Sequence, residues 1–126
     1  MAFHSASVIK NPSGKITEAY ASGWNWTGAA THVSVLPSGM NQMLQVTNMT
    51  LTARTESDVE VYFGTAGTSG DLVEGIYAAA NGGLHADYSE ENFPTSTFQE
   101  GLYMNFEGTA PSGKAYIKYR YLDSTP

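Results

Sequence analysis

His85 and Asp87 are the two residues whose types and spacing come closest to a catalytic pair. They stand two positions apart in an alternating run, so both side chains project from the same face of a strand. A histidine bonded to a carboxylate is half of a hydrolase triad. However, no serine stands in the context of a nucleophile elbow, and the apolar side chains of this run lie on its opposite face. The pattern therefore favours a solvent-facing polar pair over a catalytic one.

Residues that could bind a metal ion are scattered along the chain. His4, His32 and His85 show none of the short spacings that zinc sites use. Carboxylates between residues 71 and 91 could supply oxygen ligands, but not at the fixed intervals of a calcium loop. A cation at a subunit contact stays open as an alternative. Glycoside hydrolysis has no positive support, although spacing alone does not exclude it. We predict no metal, no cofactor and no enzymatic activity.

Charged side chains form two rows of opposite sign, each on the polar face of an alternating run. If the two strands are neighbours, the rows make cross-strand ion pairs worth a few tenths of a kcal/mol each. If they are not, the rows are complementary stripes that could meet across copies of the chain, or the basic stripe could face an acidic partner. The rows are Glu56, Asp58 and Glu60, and Lys114, Lys118 and Arg120.

The composition describes one domain with a packed core. The 126 residues are 41% hydrophobic, which argues against disorder. Twelve acidic residues against six basic ones give a net charge of -6, which disfavours binding to nucleic acid. The chain has no cysteine, and it has no apolar run long enough for a signal peptide or a membrane span. We expect a soluble protein without a secretion signal of its own and with no membrane partner.

Alternating polar and apolar residues indicate an all-β fold. The clearest stretch is residues 101–122, which reads as two strands with one buried face, joined by a turn that contains Pro111. With about eight short strands between turn signals, the sequence predicts an antiparallel β-sandwich, specifically a jelly roll. An immunoglobulin-like sandwich is the nearest rival, but its Cys-Trp-Cys pattern is absent.

Two regions depart from simple alternation. Residues 1–28 read as an irregular N-terminal arm with short strands, followed by a single β-sandwich domain over residues 29–126. The longest run, residues 43–54, changes phase near Thr47, which predicts a bulge or a strand that passes between sheets. Asn81-Gly82-Gly83 predicts a tight hairpin.

The second half of the chain resembles a known group of proteins. The segments LQVTNMTLTA, DVEVYFGT, YAAANGGLHADY, GLYMNFEG and KAYIKYRYL occur in this order between residues 42 and 122. This order of strands and turns is similar to that of small jelly-roll structural proteins of tailed bacteriophages, including head decoration (cement) proteins. Its sharpest pieces are the ANGG turn and the GLYMN strand.

The resemblance implies a non-enzymatic virion protein that binds the outside of the capsid in many copies and stabilises it. The major capsid protein would be its partner, and the chain would form a homo-oligomer, with a trimer favoured. It would be made in the cytoplasm of a bacterial host. Within this hypothesis, we predict that deletion of residues 1–10 leaves a folded domain that no longer attaches to particles.

Two sets of contact residues follow from this hypothesis. The predicted capsid contacts are Phe3, His4, Trp24 and Trp26, and the predicted self-association residues are Tyr103, Tyr116, Lys118 and Arg120.

Two alternatives remain open. The two tryptophans could instead plug one end of the core. A carbohydrate-binding or host-adhesion module of a phage tail is the alternative function. Exposed Trp24, Trp26 or Tyr116 lining a shallow groove would favour it, and buried tryptophans would count against it.

Overall fold

The structure is a computed structural model that describes residues 3–10, 16–38, 42–65, 68–97 and 99–123. The described residues form nine β-strands and one short 3₁₀-helix at Glu90–Asn92. The strands are β1 (Phe3–Lys10), β2 (Ile16–Thr27), β3 (Ala30–Leu36), β4 (Gln42–Thr55), β5 (Ser57–Thr65), β6 (Thr68–Ala78), β7 (Gly83–Asp87), β8 (Gly101–Glu107) and β9 (Ser112–Asp123).

The strands form two antiparallel sheets that pack as a sandwich. The five-stranded sheet has the order β1-β2-β9-β4-β7, and the four-stranded sheet has the order β3-β8-β5-β6. From β2 onward, strands pair from the two chain ends inward: β2 with β9, β3 with β8, β4 with β7 and β5 with β6. Eight strands paired in this way make a jelly roll, and β1 extends one sheet by a ninth strand. The predicted fold class is confirmed.

The N-terminal residues take part in the sheet. Residues 16–27 form β2, which pairs with β9 from Ala19 to Thr27. β1 pairs with β2 along its whole length, from Phe3 to Lys10. The structure thus places in the sandwich a segment that the sequence suggested to be an irregular arm, because its Ser, Thr and Gly residues obscure the alternation that marks a half-buried strand.

The predicted hairpins at residues 101–122 and 81–83 are wrong. β8 and β9 belong to different sheets, and so do β6 and β7. In each case the connection arches over the end of the sandwich, so that the apolar faces of its two strands meet across the core. Alternation specifies which face of a strand is buried, and it is the same for a hairpin as for an arch between sheets.

The core lies between the sheets and is apolar. Alternate residues of β4, β5, β8 and β9 point inward, and most of them are almost fully buried. The predicted phase change in β4 is confirmed, because its register with β9 shifts between Val46 and Asn48. The inward set comprises Leu44, Val46, Met49, Leu51, Ala53, Val59, Val61, Phe63, Leu102, Met104, Phe106, Ala115, Ile117 and Tyr119.

None of the described residues lies in a helix that is long and apolar enough to cross a membrane.

Candidate functional site

Trp26 is a core residue. Its indole is 2% exposed, it stacks on Phe106 of the opposite sheet at 4.9 Å, and its Nε1–H donates to the Ser57 hydroxyl at 3.2 Å. Trp24 is half-buried and stacks on the same Phe106 ring at 5.1 Å. The structure corrects the prediction that Trp26 contacts a capsid, because its ring is buried in the core and is not accessible to a partner. The alternative interpretation, that the tryptophans plug the core, is confirmed for Trp26.

The other predicted capsid contacts lie close to the tryptophans in the same hairpin. Phe3 is the register partner of Gly23, and His4 is the register partner of Ser22. Their side chains lie outside the described part of the structure. The register therefore brings Phe3 and His4 to the segment that precedes Trp24, at the outer edge of the five-stranded sheet.

The four predicted self-association residues do not share a face. Tyr103 lies on β8 of the four-stranded sheet, whereas Tyr116, Lys118 and Arg120 lie on β9 of the five-stranded sheet. These sheets present their outer faces on opposite sides of the molecule. The error has the same origin as the predicted hairpin, since a hairpin would have placed Tyr103 beside Tyr116.

The charge rows also lie on opposite outer faces. Strand β5 carries Asp58 and Glu60 of the acidic row, Glu56 directly precedes it, and β9 carries the basic row; β5 and β9 belong to different sheets. The interpretation as cross-strand ion pairs is therefore wrong, and the rows are separate stripes. Among the described residues, no carboxylate lies within salt-bridge distance of a lysine or arginine, and the one pair of that kind is His85–Asp87.

The basic face surrounds an exposed tyrosine. Lys114 and Lys118 are exposed on either side of Tyr116, whose side chain is 44% exposed. Arg120 is half-buried, because its Nε–H donates to Gln45 at 2.7 Å and its guanidinium lies 5.0 Å from the ring centre of Phe93. The exposed ammonium groups of Lys114 and Lys118 and the hydrogen-bonded guanidinium of Arg120 thus lie around the Tyr116 ring, which could pack against a partner.

A polar cluster lies beside this face, on β4 and β7. His85 Nε2 is 3.1 Å from Asp87 Oδ2, and His85 Nδ1 is 2.7 Å from the hydroxyl of Thr50. The amide of Asn48 donates to the other oxygen of Asp87. This hydrogen bond and the one from His85 hold the pKa of Asp87 below its ordinary value. The predicted solvent-facing polar pair is confirmed, with His85 63% and Asp87 64% exposed.

Thr50 and Asn48 lie in the register opposite His85 and Asp87, and no local spacing in the sequence marks them. The hydroxyl, imidazole and carboxylate form the chain of contacts that a hydrolase triad needs. An open groove of about 310 Å³ adjoins His85 and is lined by Thr50 and the turn at Asn81–Gly83. In the described residues the cluster lies open to water on a sheet face, without the dry pocket and converging donors that stabilise an oxyanion.

The acidic face places like charges side by side. Asp58 is the register partner of Glu107, and Glu60 is the partner of Asn105, whose amide donates to Glu60 at 3.2 Å. Like charges directly opposite each other on neighbouring strands destabilise a sheet. Beside them Tyr77 is 69% exposed, and a hydrogen bond to Glu56 raises the pKa of its phenol.

His32 forms a second polar cluster on the same four-stranded sheet. Its ring stacks on Tyr103 at 4.2 Å, and its Nδ1 lies 2.7 Å from the hydroxyl of Tyr62. Since a carbonyl can only accept, His32 Nε2 donates to the Thr65 oxygen at 2.8 Å. The backbone of His32 has a positive φ of 53°, held in part by an N–H bond to Asn105. His32 therefore covers part of Tyr103, one of the predicted self-association residues.

The described residues contain no group of three or more histidine or acidic side chains that could hold a metal ion together.

Comparison with known proteins identifies the fold. No protein-family model matches the chain, and no curated protein matches its sequence. The fold is similar to that of a chain in a solved structure of Bacillus endospore appendages, described as a novel family of disulfide-linked pili. That chain is 18% identical, the TM-score is 0.56, and the match covers 95% of this chain and 92% of that one. The likeness supports the all-β sandwich, and the neighbour is a protein of a pilus.

Proposed function

We propose that this chain is a non-enzymatic structural protein that binds other protein subunits in a large assembly, and that the assembly is a viral capsid, which it covers from outside. The observation that supports this best is the placement of its polar groups. The interior between the sheets is filled with apolar side chains, and the described polar clusters lie on open outer faces. Such faces suit contact with flat protein surfaces rather than the enclosure of a substrate.

The edge of the five-stranded sheet is the surface we assign to capsid contact. β1 pairs with β2 and is the outermost strand of this sheet, so its other edge offers backbone N–H and C=O groups to a partner. The first residues of this strand, Phe3 and His4, were predicted as contacts from the sequence. The structural neighbour belongs to disulfide-linked pili. This chain has no cysteine, so its contacts would not include disulfides.

A carbohydrate-binding module fits the geometry less well. Aromatic sugar-binding surfaces need exposed ring faces, whereas Trp26 is buried and Trp24 is stacked on Phe106. Tyr116 is the remaining exposed ring of the three that would have favoured this function.

The test is co-sedimentation of the purified chain with capsids of the phage that encodes it, prepared without this protein, over a series of salt concentrations. We expect saturable binding at a fixed ratio to the major capsid protein. Many weak contacts that form only on the assembled shell would then stabilise it, so decorated capsids should resist heat better than bare ones. Absence of binding at every salt concentration would contradict the proposal, and a glycan array would then test the alternative.

A further inference from the structure

The two charged faces have complementary contents. The basic face carries Lys114, Lys118 and Arg120 around Tyr116, and the acidic face carries Asp58, Glu60 and Glu107 next to Tyr77. Each face thus combines a row of one charge with an exposed tyrosine, and tyrosine and arginine are among the residues that contribute most to protein interfaces.

Neither row forms a salt bridge within the described part of the chain, although Lys118 interacts electrostatically with Asp87, which lies two strands away on the same sheet. No lysine or arginine there lies within salt-bridge distance of a carboxylate, and the opposed pair Asp58–Glu107 repels itself. A cation brought to the acidic face from outside would relieve this repulsion. The ammonium groups of Lys114 and Lys118, exposed on the opposite side of the same molecule, are suitably placed cations in a second copy.

We propose that copies of this chain associate with one another by stacking, with the basic five-stranded face of one copy on the acidic four-stranded face of the next. The contact is heterologous, because two different surfaces meet. Since the faces lie on opposite sides of a sandwich, repetition of the contact extends along one direction and leaves an open stack rather than a closed ring. The inference does not depend on capsid binding, because it concerns the purified chain alone.

The net charge affects how strong this contact can be. At -6 per copy, whole molecules repel each other at long range. At about 0.1 M salt this repulsion is screened beyond roughly 10 Å, while charges in direct contact are screened much less. We therefore expect weak association, which should be measured at high protein concentration and moderate salt.

The experiment is sedimentation velocity with two charge-reversal variants, measured alone and mixed. Lys118→Glu makes the basic face more acidic, and Glu60→Lys makes the acidic face more basic, so each variant alone loses one complementary pair. In the mixture, each intact face meets its intact complement and the two altered faces also complement each other. We expect each variant alone to associate roughly tenfold more weakly than the native chain, and the mixture to recover most of the loss.

The control pair has the same net charges but leaves the charged residues of both faces unchanged. Lys118→Glu changes the net charge from -6 to -8, as does the double change Ala79→Glu with Ala80→Glu in the arch between β6 and β7. Glu60→Lys changes the net charge from -6 to -4, as does Glu91→Lys in the 3₁₀-helix. Mixing these two controls should not strengthen association beyond that of the native chain.

Three results would overturn the inference. The first is a chain that stays monomeric at high concentration. The second is association that Lys118→Glu and Glu60→Lys leave unchanged, which would place the contact on another surface. The third is a closed species of fixed size, such as the trimer expected from the resemblance, since opposite faces do not close into a small ring. Circular dichroism of each variant verifies that it is folded.

Discussion

At the scale of single residues, a glycine determines how the largest side chain enters the core. Trp26 and Gly113 are register partners on β2 and β9, and the indole lies against the glycine. A Cβ at position 113 would overlap both the Trp26 ring and the backbone oxygen of Thr52. The indole that looked from the sequence like a docking group is thus held inside by the absence of a side chain opposite it.

The variant Gly113→Ala tests this packing. Because the backbone oxygen of Thr52 cannot move away without disturbing the sheet, we expect a loss of about 1–3 kcal/mol in the free energy of unfolding, the usual range for an overpacked core. Urea denaturation followed by tryptophan fluorescence measures it. Gly75→Ala is the matched control, because its nearest neighbouring atom would lie 4.0 Å away. Equal stability of the two variants would contradict the packing argument.

At the scale of elements, β1 is an addition to a complete fold. The eight strands from β2 to β9 pair among themselves as a jelly roll, and β1 contacts this set through β2. Its loss would expose the edge of β2 without breaking the pairing of β2 with β9. The element best placed to bind a partner is therefore also the one that the core needs least.

Deletion of residues 1–10 should separate folding from attachment. We expect the shortened chain to unfold cooperatively, at a somewhat lower denaturant concentration, and to lose saturable binding to capsids. Circular dichroism and co-sedimentation measure the two properties. If the shortened chain fails to fold, the full-length variant Phe3→Ser with His4→Ser keeps β1 and tests the contact. Binding of a folded shortened chain at the native ratio would show that the capsid contact lies elsewhere.

At the scale of the whole molecule, the charges of the acidic face have opposite effects on the stability of the single chain and on its self-association. The repulsion between Asp58 and Glu107 destabilises the isolated chain, and the same charges attract the basic face of another copy. Stability of the single chain and self-association should therefore respond in opposite directions to a loss of charge on the acidic face.

The variant Glu107→Gln tests whether stability and self-association change in opposite directions. Removal of the repulsion with Asp58 should raise the free energy of unfolding by a few tenths of a kcal/mol, while it weakens self-association. Thermal unfolding of dilute protein gives the first quantity, and sedimentation velocity of concentrated protein gives the second. The control Glu91→Gln changes the net charge equally but lies in the 3₁₀-helix, outside the strands that carry the two charge rows. If stability and self-association both increased or both decreased, the proposed opposite effects of this charge would be wrong.

Local pattern was sufficient to predict several features of this molecule. The side chains of an extended strand alternate between two faces, so the inward residues of β5, β8 and β9 could be read directly from the chain. The bulge in β4 followed from its change of phase, and the solvent-facing pair His85–Asp87 from a spacing of two. These properties depend on neighbours along the chain, and the sequence determines them by itself.

Only the tertiary structure decided which strands are neighbours. Whether β8 and β9 make a hairpin or an arch depends on the burial of both strands against distant partners, and the alternation is the same in either case. That choice placed the charge rows on opposite faces and Tyr103 on a different sheet from Tyr116. A second long-range choice, the pairing of β4 with β7, brought Thr50 to His85. Contacts across a sheet or between sheets join residues far apart in sequence, so no local spacing can encode them.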